Sequence, residues 1–193
     1  MAGIGMYGVY YAVANISSGT VTSYGAVKQM GKAISASYEP AEAGSNILYA
    51  NNSVAETDTS LVAGGTLSLT LDRLTFDARA DLYGLTATTV TGGGSGFEYD
   101  GTESSVPVGV AFIRQSQESQ DRNIHDVVIY SYCTFNEPTE EFQTLGEEVE
   151  WQTPTIEATV SGAAVVGSSY PWRTLMRFTS QSAAVSYITN FFA

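Results

Sequence analysis

The sequence is short of most of what enzymes and nucleic-acid binders are built from. It has one cysteine, Cys133, which excludes an intramolecular disulfide or a zinc site made of several thiolates. It has one histidine, and only 8 Lys and Arg against 20 Asp and Glu, a formal charge of −12. Phosphate backbones are gripped by clustered cations, so repulsion from a polyanion is the expectation. Charged residues make up 15% of the 193 positions, against roughly 25% in an average soluble domain. Much of the surface is therefore expected to be Ser, Thr, Gly and Tyr, which favours contact with other protein. No apolar run reaches the length of about 18 residues that a membrane helix needs. No basic residue precedes Lys28, so no signal peptide is expected either. The length fits a single domain, 1–193.

What is present is a strand pattern. Thr66 to Leu71 (TLSLTL) alternates strictly, placing Leu67, Leu69 and Leu71 on one face. Strands are also expected at Lys32 to Tyr38, Val108 to Ile113, Val127 to Phe135, Val149 to Gln152, Thr155 to Val160 and Trp172 to Phe178. Val127 to Phe135 (VVIYSYCTF) is apolar on both faces, so both must be covered, one by the core and the other by a helix or another subunit. Within it, strict alternation would put Tyr130 and Tyr132 on the same face. Two helices are expected. Thr75 caps Phe76 to Tyr83, with Phe76, Ala80 and Tyr83 on one face and Gly84 as the stop. Ser182 to Phe192 carries Ala184, Val185, Ile188, Phe191 and Phe192 near one stripe, with a terminal strand as the alternative that its β-branched content allows. The expected class is mainly β, an antiparallel sandwich or barrel with one short flanking helix and a C-terminal helix.

The segments between are read as an N-terminal arm with the first strands (1–31), a long loop (40–65), a polar hairpin tip (Arg114 to Asn123), a Gly and Thr linker (Thr86 to Gly96) and a closing strand and helix (161–193). Pro40 to Gly65 exceeds the length of about 12 to 15 residues at which a structureless loop becomes suspicious. Its apolar residues Ile47, Leu48, Tyr49, Val54, Leu61 and Val62 point to an element that orders against a partner.

Motifs that suggest chemistry fail on context. Gly3-Ile-Gly5-Met-Tyr-Gly8 matches G-x-G-x-x-G, but no strand can precede residue 3, so it reads as a coincidence in a flexible arm. Gly92 to Gly94 lacks the Lys and Ser/Thr of a phosphate-binding loop. His125 beside Asp126 has no evident nucleophile and reads as a surface or interface histidine. Cys133, mid-strand, reads as a small buried hydrophobe. Between Arg122 and Arg173 lie Asp126, Glu137, Glu140, Glu141, Glu147, Glu148, Glu150 and Glu157, with no cation among them. They lack the order of a calcium loop and read as solvated faces or as a shared electrostatic surface. No cofactor, metal or catalytic residue is expected.

Taken in order, LYANNSVAETDTSLVAGGTLSLTLDRLTFDARADLYG, VPVGVAFIRQSQ, IHDVVIYSYCTF and EFQTLGEEVEWQTPTIEATV resemble the major tail proteins, or tail tube proteins, of long-tailed bacteriophages, most closely the phi13-type group. The resemblance runs from about Lys32 to Val160. It implies a β-sandwich with a flanking helix, hexameric rings stacked into a tube, and a lumen holding genome and tape measure protein. Tail terminator and baseplate-proximal proteins would be the other partners, and the virion tail the location, after synthesis in the host cytoplasm. The long loop at 40–65 would reach a neighbouring subunit or ring. The segment from Ser161 is too short for the immunoglobulin-like domain that some relatives carry. Genomic DNA would pass without specific binding, along a wall for which Glu148, Glu150 and Glu157 are the candidate carboxylates. The competing reading, from the Tyr and Trp content and the polar loops, is a carbohydrate-binding or surface-adhesion β-sandwich; an enzyme ranks behind both.

Overall fold

The structure, a computed structural model, describes residues 2–41, 46–50, 53–58, 63–118, 121–139, 144 and 153–193; for 2, 46–50, 53–58 and 121–122 it describes the backbone path alone. In chain order the elements are β1 (Ala2–Ser17), β2 (Thr20–Tyr24), β3 (Lys28–Gly31), β4 (Ala33–Pro40), β5 (Asn46–Ala50), β6 (Ser53–Asp58) and β7 (Gly64–Leu71). Then follow α1 (Phe76–Tyr83), β8 (Ala87–Val90), β9 (Gly94–Phe97), β10 (Val108–Glu118), β11 (Asp121–Phe135), β12 (Thr155–Ser161), β13 (Arg173–Phe178) and α2 (Gln181–Phe191). The protein is mainly β and antiparallel, with two helices among the described residues, as the alternation predicts.

The main sheet runs β2-β1-β10-β11-β12-β7-β4, with β13 paired to β11 and β3 to β1. Only Lys32 separates β3 from β4, and these two pair with β1 and β7 respectively. The chain from 28 to 40 thus joins the two ends of the path, and the sheet closes into a barrel. Leu67, Leu69 and Leu71 of β7 point inside with Val9, Tyr11 and Ile156, all fully buried. The helix α1 closes the interior with Ala78, Leu82 and Tyr83. Thr75 accepts a hydrogen bond from the Ala78 N–H at its start, and Gly84 ends it in the left-handed region. Its buried face is therefore not the expected Phe76, Ala80 and Tyr83. Phe76 stays 44% exposed and stacks on Phe97 of β9.

A second apolar layer lies outside the barrel. Ala111, Ile113, Val127 and Ile129, on the outer side of β10 and β11, are covered by Ala184, Ile188 and Phe192 of α2 and the residue following it. Burying Ile188 and Phe192 contributes about 1.5–3 kcal/mol each. The doubly apolar strand therefore has the barrel on one side and a helix on the other. Ser180 caps α2 through the Ala183 N–H.

Two bulges set which residue faces which layer. In β1 the register shifts between Tyr7 and Val9, at Gly8 with φ 63°, a conformation glycine adopts without strain. Met6 packs on the interior and Tyr7 on the outer layer, whereas beyond the bulge Val9 and Tyr11 are inside and Tyr10 outside. The first residues are thus not a flexible arm. Ala2 to Val13 pair with β10 throughout, and Gly8 serves as a bulge residue. In β11 the register with β10 shifts between Tyr130 and Cys133, so Ser131 and Tyr132 together oppose Gly109. Three hydrogen bonds hold this bulge. The Tyr24 hydroxyl donates to the Ser131 carbonyl at 2.6 Å, the Ser131 N–H to the Trp172 carbonyl at 3.1 Å, and the Ser131 hydroxyl to the Pro171 carbonyl.

Three other segments differ from expectation. The Gly and Thr linker is a two-stranded hairpin, β8 with β9. Arg114 to Asn123 is mostly ladder, because β10 and β11 stay paired out to Glu118 and Asp121. The 40–65 loop contains the hairpin of β5 and β6. The expected strand at Val149 to Gln152 lies outside the described residues.

Opposite the bulge, a Cβ on Gly109 would meet Phe192 at 2.3 Å and Tyr24 at 2.8 Å. Gly109→Ala should lift both rings off the sheet and cost about 1–3 kcal/mol, as overpacking does. The expected readout is a lower thermal midpoint with protease nicking concentrated in α2. A wild-type midpoint would show that the rings do not need the bare backbone.

Candidate assembly surfaces

The residues expected to meet other copies fall in three places. Ile47, Leu48 and Tyr49 lie on β5 and Val54 on β6, a two-stranded sheet that pairs with no other described strand. Their backbone is antiparallel, with a register shift between Leu48 and Tyr49. Leu61 and Val62 lie outside the described residues, as do Glu148 and Glu150. Glu157 is exposed on β12, opposite Ser68 of β7, which in turn opposes Ser37 of β4.

The outward sides of those three strands form one continuous face. Along it run Ser35, Ser37 and Glu39 of β4, Thr66, Ser68 and Thr70 of β7, and Thr155, Glu157 and Thr159 of β12. Their neighbours Leu67, Leu69, Ile156 and Ala158 point the other way and are fully buried. Neither helix packs there, since α2 lies against β11 and β13 and α1 against β3 and β11. Hydroxyls and two carboxylates make up these rows, β4 also exposes Ile34 at its start, and none of the three strands has a Lys or Arg.

Tyr130 and Tyr132 do not share a side. The bulge between them turns Tyr130 into the barrel interior at 1% exposure, beside Tyr38 and Phe112, and Tyr132 to the outer layer. Tyr130 is therefore a core residue and not a contact for a second copy. His125 is likewise not on the surface. It is buried, and its Nδ1 shares a 2.6 Å hydrogen bond with the Tyr7 hydroxyl. Cys133 is fully buried, and burial pushes its thiol far above the usual range, so it is the inert hydrophobe expected.

One polar cluster has no sequence signature. Asp126 of β11 lies between Arg114 of β10 and Arg177 of β13 in register. Its Oδ2 accepts from Arg114 Nη2 (3.0 Å) and Ser116 Oγ (2.8 Å), and its Oδ1 from Arg177 Nε (2.9 Å). Arg177 also reaches Glu118 at 3.5 Å. Burial pushes the Asp126 carboxyl up, but the bonds from Arg177, Ser116 and Arg114 outweigh it and hold the carboxyl below its ordinary value. Only the register of three strands distant in sequence brings these groups together. Two guanidiniums and a hydroxyl bonded to one buried carboxylate fit a structural lock.

Among the described residues no group of three or more His, Cys, Asp and Glu is placed to hold a metal ion. No helix among them is long and apolar enough to cross a membrane. Comparison with protein-family models and with curated proteins finds no match for the chain.

Two outcomes follow from this geometry. Tyr130→Asp should abolish folding, because it puts an unpaired carboxylate inside the barrel at a cost above about 3 kcal/mol; a soluble, cooperatively melting variant would contradict the interior placement. Asp126→Asn should cost about 1–2 kcal/mol, discounted for the half-exposed guanidiniums. Because the folded-state carboxyl sits low, its contribution is complete above the unfolded value of about 4 and is lost as pH falls through the lower folded value. Urea midpoints of wild type and Asp126→Asn should differ at pH 7 and converge at strongly acidic pH.

Proposed function

We propose that the chain is the repeating subunit of a bacteriophage tail tube, closing into hexameric rings that stack around a channel for the genome. The observation that carries this reading is the bare face of β4, β7 and β12. A β-face left uncovered by either helix, rich in hydroxyls, bearing Glu39 and Glu157 and lacking any cation, is suited to line a passage for DNA. It offers phosphates nothing to pair with, and a chain of charge −12 repels them. The resemblance of Lys32 to Val160 to tail tube proteins points the same way.

Two further features support self-assembly. The β5 and β6 hairpin forms its own two-stranded sheet, and such hairpins are marginal alone in water. Large apolar side chains stay exposed on the body, including Ile34, Leu175 and Met176 at 52%, 56% and 46%. The carbohydrate-binding alternative leaned on aromatic content. Tyr11, Tyr24, Tyr83 and Tyr130 are buried in the two apolar layers, so those rings are not available as a sugar platform. In this reading the tape measure protein occupies the lumen, and terminator and baseplate-proximal proteins cap the ends.

Negative-stain microscopy of concentrated protein should show rings or tubes, and a strict monomer at every concentration would overturn the assignment. Removing 47–61 should leave a folded chain that does not polymerise; normal tubes from that variant would exclude the hairpin as an assembly element. Tubes built from Glu39→Lys with Glu157→Lys should keep their form yet retain double-stranded DNA at low salt, each added cation contributing a counterion-releasing contact. If DNA recovery from those tubes equals wild type, the β4, β7 and β12 face is the outer wall.

A further inference from the structure

The strand β13 forms a sheet edge. Among the described residues it pairs with β11 alone, along a constant register from His125 with Phe178 to Tyr130 with Arg173. One hydrogen bond, from the Ser131 N–H to the Trp172 carbonyl, shows which backbone groups face the edge. It extends the same register by one pair, and antiparallel ladders alternate bonded with non-bonded pairs. Thr174 and Met176 therefore bond to β11, while the N–H and C=O of Arg173 and Leu175 turn outward. The side chains on this edge are not protected either, with Leu175 and Met176 about half exposed.

The edge is also where the chain's scarce positive charge gathers. Arg173 and Arg177 belong to β13, and Arg114 lies one strand beyond β11 in the same row as Arg177. The Arg173 guanidinium sits over the rings of Tyr38 and Tyr130 at 5.1 and 5.6 Å. β13 itself (RTLMRF) carries two guanidiniums and no carboxylate on a protein of charge −12. The other edge strands β2 (TVTSY) and β4 (AISASYEP) have no Lys or Arg, and Lys28 of β3 is held by Asp81 at 2.6 Å.

We propose that β13 takes β6 of a second copy as an added strand; this rests on the self-assembly reading above and names the surface that receives the hairpin. Strand addition supplies main-chain hydrogen bonds, and charge decides the partner. Two β13 strands paired with each other would set guanidiniums along one seam, which like-charge repulsion disfavours. The β6 strand (SVAETD) carries Glu56 and Asp58 and no cation, and its only described partner is β5. It matches the β13 edge in charge, and the addition leaves a two-stranded hairpin part of a larger sheet.

Leu175→Pro deletes an outward N–H while leaving the ladder to β11 whole, a substitution edge strands tolerate. Leu175→Glu sets a like charge against Glu56 and Asp58 at the same exposed position. Both should melt like wild type and form neither rings nor tubes. Cross-linking then identifies the partner strand, since Cys133 is fully buried and introduced thiols are the reactive ones. Mixing Leu175→Cys with Ala55→Cys under mild oxidation should give a disulfide joining the two different chains. Wild-type tubes from folded Leu175→Pro and Leu175→Glu would overturn the proposal and leave the tail tube reading standing. A disulfide between two Leu175→Cys chains in place of the mixed product would replace β6 with a symmetric seam. A wild-type protein that never assembles would overturn both readings at once.

Discussion

Everything in this fold is arranged around the need to bury both faces of β11. A strand with Val128, Tyr130, Cys133 and Phe135 toward one side and Val127, Ile129 and Tyr132 toward the other cannot sit in a one-sided sheet, because either face left wet would expose a run of large apolar groups. The barrel satisfies the first face and α2 the second. The bulge at Ser131 is what allows the strand to serve both, since it moves the apolar register by one residue where the neighbours change from β13 to β12. Gly109 across from it leaves the space into which Phe192 and Tyr24 pack.

Charge is distributed with the same economy. The Ser, Thr and Glu face of β4, β7 and β12 holds two carboxylates and no cation, whereas three of the eight basic residues meet around Asp126 and β13. A molecule with so few positive groups, three of them in one place, has a directional field even though its net charge is one-signed. In the proposed assembly, that field would orient contacts between copies in a way that apolar patches alone would not.

Much of the fold was legible in the sequence where a single period holds. Leu67, Leu69 and Leu71 alternate without interruption, and the Thr75 and Gly84 caps bracket α1 by local chemistry, so both elements lie where expected. The two-sided pattern of β11 correctly implied that its second face is covered, and of the two covers it allowed, a helix or another subunit, α2 is the one present. What failed did so for a physical reason. At Gly8 and at Ser131 a bulge shifts the alternation by one residue, so counting by twos misplaced Tyr132 relative to Tyr130 and made a paired strand look like an arm. The Asp126 cluster was invisible because its members meet only through the register of three strands. His125 was misjudged because its partner, Tyr7, is supplied by the opposite end of the chain.

The pairing of β1 with β10 sets a clock. β1 meets β2 and β3 early, but its long ladder with β10 waits until more than a hundred further residues have been made, Tyr7 for Ile113, and the outer layer remains open until α2 has been synthesised. Until then the strands that will form the barrel are loose edges, prone to pair with the wrong chain. Association between chains before the barrel closes would therefore compete with folding.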